Sequence, residues 1–173
     1  MSVPDYIEVP RHQELQGRWW HVWVRRVLLA LLTLIPLLAL FNLFGQRPRT
    51  DTASNAAADL AVYAPDRLRG GLLYMGRYTI VAKETLRKPK LVLDSGWVEG
   101  MQVNTVTPAP VTEESRDGKL VYGYDTIDAG DKFVVYAQFQ VNPTNVGHRS
   151  QSVRLEAAGM PPLVVDRSVT IIP

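Results

Sequence analysis

The chain has 173 residues, with 19 Lys and Arg against 17 Asp and Glu, and no cysteine. The missing cysteine excludes disulfides, Cys-ligated zinc, iron–sulfur clusters and thiol catalysis. Residues 59–173 balance 13 Lys/Arg with 13 Asp/Glu, so the basic excess lies beside one apolar run near the N-terminus and not on a folded face, as nucleic-acid binding would require.

Residues 1–26 read as a cytoplasmic tail, of which residues 1–17 hold two prolines and little apolar periodicity and Gln13 to Arg26 suits a helix lying on or entering the membrane. Val27 to Phe44 (VLLALLTLIPLLALFNLF) carries no charge. A helix of that length spans about 27 Å, close to the hydrocarbon core of a bilayer. Pro36 sits mid-run, where a bilayer helix tolerates proline. Thr33 and Asn42 are its only polar side chains, and either suits a hydrogen bond to a partner helix. Trp19, Trp20 and Trp23 precede the run, and Arg25 and Arg26 abut it. Tryptophan favours the headgroup layer and arginine the cytoplasmic side, so these five read as membrane-interface residues of an N-inside, single-pass anchor. A cleaved signal peptide fits less well, because the run exceeds the usual apolar length and the nearest small-residue site, Ala56-Ala57-Ala58, lies far downstream. The expected location is a cell membrane, inner or plasma, with the C-terminal domain outside the cytoplasm.

Residues 45–59 (GQRPRTDTASNAAAD) have the composition of a linker. From Leu60 the pattern becomes short runs of period two, broken by Gly, Pro, Asn and Asp, which predicts an all-β domain over 60–173. Expected strands include Leu60–Val62, a run carrying Leu72, Tyr74, Tyr78, Ile80 and Ala82 on one face, Leu91–Leu93, Met101–Val106, Leu120–Tyr124, Val153–Ala157 and Leu163–Ile172. The clearest is Lys132–Val141, with Phe133, Val135, Ala137, Phe139 and Val141 facing inward and Val134, Tyr136, Gln138 and Gln140 outward. About seven to eight strands in such a length predict an immunoglobulin-like β-sandwich of the fibronectin-III-like, cysteine-free variety. The stretch Asp125–Val141 (DTIDAGDKFVVYAQFQV), with its Ala129-Gly130 turn leading into an alternating strand at Lys132, resembles bacterial surface immunoglobulin-like domains. The resemblance implies a spacer, adhesion module or accessory subunit, and no specific family.

Chemistry is sparse. His148 is the single histidine of the C-terminal part, and no G-x-S-x-G elbow accompanies Ser150 and Asp125. Asp125, Asp128 and Asp131 are spaced three apart across a turn, without the EF-hand register that calcium loops use. Gly70-Gly71 is a turn and not a phosphate loop. No cofactor and no catalytic or metal residue is expected. Two loops stand out, Gly96–Met101 (GWVEGM) and Asn142–Arg149 (NPTNVGHR). Trp97, Met101, Asn142 and Asn145 are therefore the candidate partner contacts, with Asn42 in the helix, although Trp97 reads first as a core residue and as a contact only if it is exposed. The expected function is a non-enzymatic, membrane-anchored interaction or accessory protein whose partners are the bilayer and another membrane or envelope protein. The alternative is a module binding a glycan, calcium or small molecule through the sandwich loops.

Overall fold

The structure is a computed structural model that describes residues 19–41 and 45–173. The chain divides into two compact units, residues 1–44 and 45–173. In the first, helix α1 (Trp19–Leu40) runs for 22 residues with Pro36 inside it and no buried residue. It is long and apolar enough to cross a membrane. It starts eight residues before the expected boundary at Val27, because the tryptophan-rich stretch before the apolar run is itself compatible with helix. Trp19, Trp20, Trp23, Arg25 and Arg26 thus lie on its first two turns, with the Arg26 guanidinium 5.5 Å from the Trp23 ring. The Thr33 hydroxyl is satisfied locally, donating to the Leu29 carbonyl at 2.7 Å. Asn42 and residues 1–18 fall outside the described residues.

The second unit is all β. Its strands are β1 (Pro48–Ser54), β2 (Ala58–Pro65), β3 (Arg67–Arg69), β4 (Leu73–Ala82), β5 (Lys90–Leu93), β6 (Met101–Thr107) and β7 (Thr112–Arg116). They continue with β8 (Lys119–Gly123), β9 (Lys132–Val141), β10 (Gly147–Ser150), β11 (Val153–Glu156), β12 (Leu163–Val165) and β13 (Ser168–Ile172). One sheet has the order β1-β2-β4-β9-β6, a second β12-β11-β5-β8-β7, and a small third β10-β13-β3. All pairs are antiparallel except β13 with β3. The sheets pack as a sandwich, the expected class.

The segment expected as a linker over 45–59 is corrected here. Residues 48–54 form edge strand β1, paired with β2 along its whole length. Their composition hides this because an edge strand needs only backbone partners. The hairpin is closed by Asn55, whose Oδ1 accepts from the backbone N–H groups of Ala57 and Ala58 at 3.0 and 2.8 Å. The Thr112–Arg116 strand is equally polar. It pairs with β8 through a turn at Asp117 and Gly118, both with positive φ of 53° and 73°, the requirement of a type I′ hairpin. The single strand expected over Leu163–Ile172 splits at Asp166-Arg167, because β12 stays beside β11 while β13 leaves to join β10. These additions raise the strand count above the seven or eight that hydrophobic alternation signals.

The inward set of β9 is as expected: Val135, Ala137, Phe139 and Val141 are fully buried, and Phe133 packs against the core's rim. On β4, Tyr74, Tyr78, Ile80 and Ala82 point in, whereas Leu72 precedes the strand and is exposed. Four tyrosines are buried, and among them Tyr78, Tyr122 and Tyr124 have hydroxyls without a hydrogen-bond partner. Burial pushes the phenols of Tyr74, Tyr78, Tyr122 and Tyr124 up. In the unfolded chain they ionise near pH 10. A raised folded value means the unfolded state loses protons first as pH rises. Stability is therefore full below about pH 10 and falls steadily above it toward the raised folded values. Denaturant midpoints measured across this window in micelles check this, and a Tyr122→Phe/Tyr124→Phe variant should show a shallower fall. A midpoint flat from about pH 9 to about pH 11 would contradict the burial of these rings.

Candidate functional site

The expected loop contacts fold inward. Trp97 sits in a single 3-10 turn, Ser95–Trp97, and is fully buried among Tyr74, Tyr78 and Phe139. Its indole N–H donates to the Gln151 carbonyl at 2.9 Å. Met101 is buried too, its sulfur accepting from the Tyr74 hydroxyl at 3.1 Å. Asn145 is buried and donates through Nδ2 to the carbonyls of Gly100 and Glu99 at 3.0 and 3.3 Å. Of the four loop candidates only Asn142 is exposed, and its backbone serves the same clasp, its N–H donating to the Gly100 carbonyl at 3.0 Å. Trp97 thus packs in the core, the first of its two expected readings, and Met101 and Asn145 are corrected from partner contacts to packing and loop-locking groups. The turn admits Trp97 only because Gly96 and Gly100 lack side chains. A Cβ on Gly96 would lie 2.0 Å from the Ser150 carbonyl oxygen, and one on Gly100 (φ +68°) 2.6 Å from Asn145.

The other polar candidates are not drawn together. His148 is exposed with Nδ1 3.2 Å from the Thr170 hydroxyl, and the Ser150 hydroxyl donates to Asp94 at 2.6 Å. Asp125 and Asp131 line one open cleft with Tyr124 and Phe133, and Asp128 is not part of it. Among the described residues no group of three imidazole, thiol or carboxyl side chains converges as a metal site would need.

Two features that the sequence did not single out are more distinctive. The first is Arg167, at the crossover between β12 and β13. Its side chain is 2% exposed and the guanidinium lies 5.1 Å from the Trp97 ring centroid. Nη2 donates to the carbonyls of Ala64 and Pro65 at 3.0 Å each, and Nη1 to Gln151 Oε1 at 3.2 Å. Nε lies 3.5 Å from Asp51 Oδ2, close enough for an ion pair but not directed as a hydrogen bond. Burial lowers the guanidinium's proton affinity and Asp51 restores part of it, so the group stays charged. It forms the floor of a polar cleft of about 510 Å³ whose lining includes Arg47, Arg49, Arg67, Asp66 and Asp166. With arginine and aspartate interleaved, this cleft reads as a charged seam holding β1 to the sandwich.

The second is the outer face of the five-stranded sheet. Register places Thr50, Tyr63, Arg77, Tyr136 and Thr107 in one row across all five strands. Met75, Gln138 and Thr105 form the next row, and Leu73, Gln140 and Gln102 the one beyond. On this face Tyr63, Leu73, Met75 and Tyr136 are 36%, 51%, 52% and 42% exposed. Leu72, just before β4, is exposed too, whereas Val111, Val146 and Val164 lie on separate segments. The Arg77 guanidinium stacks 4.8 Å from the Tyr63 ring centroid. Tyrosine, methionine and arginine are the residues over-represented at the centres of protein interfaces. Sequence parity alone puts Arg77 and Tyr136 on outward positions of their strands. It does not reveal that β2, β4 and β9 are neighbours, and so the cluster is invisible before the fold.

No protein-family model and no curated protein matches the chain. Among solved structures, one likeness is to the cohesin module from a Clostridium perfringens ATCC13124 family 33 glycoside hydrolase, at 12% identity and a TM-score of 0.42, covering 68% of this chain and 98% of that one. Another is to the C-terminal domain of wzt, at 15% identity and a TM-score of 0.44, covering 75% of this chain and 81% of that one. Both likenesses are distant, and the fold assignment rests on the strand pairings above.

Proposed function

We propose that this chain is a non-enzymatic, single-pass membrane protein that holds a β-sandwich outside the cytoplasm to contact another envelope protein. The observation that carries the reading is the exposed face built by Tyr63, Leu73, Met75, Arg77 and Tyr136. A row of aromatic and sulfur side chains left in water is costly to solubility and favours burial against a second surface. The apolar helix α1 supports the anchor, and the interface tryptophans with Arg25 and Arg26 at its start favour N-inside orientation. A small domain fixed to a membrane meets its partner at high effective concentration, so a modest contact area suffices.

The test is co-purification of the full-length chain after mild detergent extraction, comparing the native sequence with Tyr63→Ala and Tyr136→Ala. Each substitution should weaken recovery of the bound protein by about tenfold, the effect of losing roughly 1.4 kcal/mol at an interface. The thermal midpoint of the free chain should stay unchanged, since both side chains face water. Undiminished recovery by both variants would sink the reading of this face, and recovery of the free monomer alone would sink the interaction role.

A further inference from the structure

We infer that the partner of this sheet face is a different protein that presents an aspartate or glutamate side chain to Arg77. The inference rests on the interaction reading above and names its chemistry. Arg77 lies in the middle row of the face, flanked in register by Tyr63 on β2 and Tyr136 on β9. Among the described residues no carboxylate comes within ion-pair distance of it, and its guanidinium stacks on the Tyr63 ring. Around it the outward positions Thr79, Val134, Met75, Gln138, Leu73 and Gln140 carry no charge.

The face holds one acidic position, Asp59, at its far end in register with Val81 and, across β4, Lys132. That carboxylate is taken: Lys83 Nζ lies 2.6 Å from it and the Ser54 hydroxyl also donates to it. Lys132 stands at that same end, so the centre of the face is uncharged except for Arg77. Covering it strips water from the guanidinium, which is strongly unfavourable unless the arriving surface supplies a counter-charge. A carboxylate answers the guanidinium fork with two parallel hydrogen bonds. Tyr63 stacking pre-orders the guanidinium, so less side-chain freedom remains to be lost on pairing.

A second copy cannot supply that group through the same face, because its one carboxylate there is already paired and its central charge repeats the first. Nucleic acid fits poorly as well, since phosphate tracking calls for several clustered Lys and Arg. Tyrosine, methionine and one arginine in a neutral surround match a protein surface.

The test places a photo-crosslinking amino acid at Tyr136 or Met75 of the full-length chain in its native membrane, with Glu113 on the opposite sheet as a control position. Cross-linked peptides are identified by mass spectrometry. The expected product joins Tyr136 or Met75 to another protein at a segment containing Asp or Glu. Arg77→Glu should lower its yield by about tenfold or more, with the thermal midpoint of the free chain unchanged. Changing that acidic residue of the partner to Arg should restore the yield in the Arg77→Glu background. A product to another protein that persists at full yield in Arg77→Glu, or whose segment carries no acidic residue, overturns the carboxylate while leaving the face in use. A product to a second copy of this chain overturns the hetero-partner. Cross-linking from Glu113 but from neither face position overturns the reading of the face itself.

Discussion

Trp97→Ala is expected to lower the unfolding free energy of the β-sandwich unit by about 4 kcal/mol, within the range found for deleting large buried aromatics. Three losses combine. The indole is fully buried among Tyr74, Tyr78 and Phe139, so its removal leaves a cavity in the aromatic centre of the core. The Gln151 carbonyl loses the donor 2.9 Å away. The Arg167 guanidinium loses the ring face 5.1 Å from it, in a site with little water to replace that contact. A domain of this size has a total stability of roughly 5–15 kcal/mol, so the variant sits near the edge of folding. Trp97→Phe keeps most of the apolar volume and loses the indole N–H, and should cost about 2 kcal/mol. Urea unfolding of the full-length chain in micelles, followed by near-ultraviolet circular dichroism, separates the two. Equal midpoints for the native chain and Trp97→Ala would mean that Trp97 lies outside the core and returns to the surface as a contact residue.

The second large effect is on the buried charge. Asp51→Ala leaves the Arg167 guanidinium buried with carbonyl and amide acceptors but no counter-ion, which should cost about 3 kcal/mol. The same change releases Arg49, whose Nε is 2.7 Å from Asp51 Oδ1, but that arginine is largely exposed and contributes little. The pair is best measured as a cycle. In an Arg167→Met background the charge that needs Asp51 is gone, and Asp51→Ala should then cost less than about 1 kcal/mol. Urea midpoints of the four full-length chains in micelles give the cycle, because Trp19, Trp20 and Trp23 would mask the fluorescence of Trp97. Additive costs in the cycle would show that Asp51 and Arg167 do not act as a pair. The sequence treats Asp51 as a linker residue. In the structure it is the counter-ion by which edge strand β1 is fixed to the end of the sandwich, which gives a polar, turn-like segment a defined place.

How far the sequence reached depended on whether a feature was local. The alternation in β9 and β4 determined which of their residues are buried, because a strand sends successive side chains to opposite faces whatever it pairs with. The uncharged run Val27–Phe44 likewise signalled an apolar helix, and α1 is long and apolar enough to cross a bilayer by length and composition. Where burial did not depend on apolar content, periodicity was silent. β1 and β7 are held by backbone pairing to β2 and β8, and their side chains (PRTDTAS and TEESR) carry almost no hydrophobic signal.

The loop candidates failed for a related reason. Gly96 and Gly100 around Trp97 look like the frame of an exposed loop. Their actual role is to let the backbone pass against Ser150 and Asn145 so that the ring can turn inward. Glycine spacing records that a close approach exists and says nothing about which surface is approached. The outward face was half legible in the same way. Strand parity set Arg77 and Tyr136 on solvent positions, one strand at a time, while Tyr63 lay just past the expected Leu60–Val62 strand. Only the order β1-β2-β4-β9-β6, which joins segments up to some 70 residues apart in the chain, brought the three into one row. The sequence by itself determined the apolar helix, the β class and the inward residues of the strongest strands, all of which follow from local periodicity. The tertiary structure decided the partner of Asp51, the burial of Trp97 and the existence of the Tyr63–Arg77–Tyr136 row, since each depends on non-local pairing that no short-range pattern encodes.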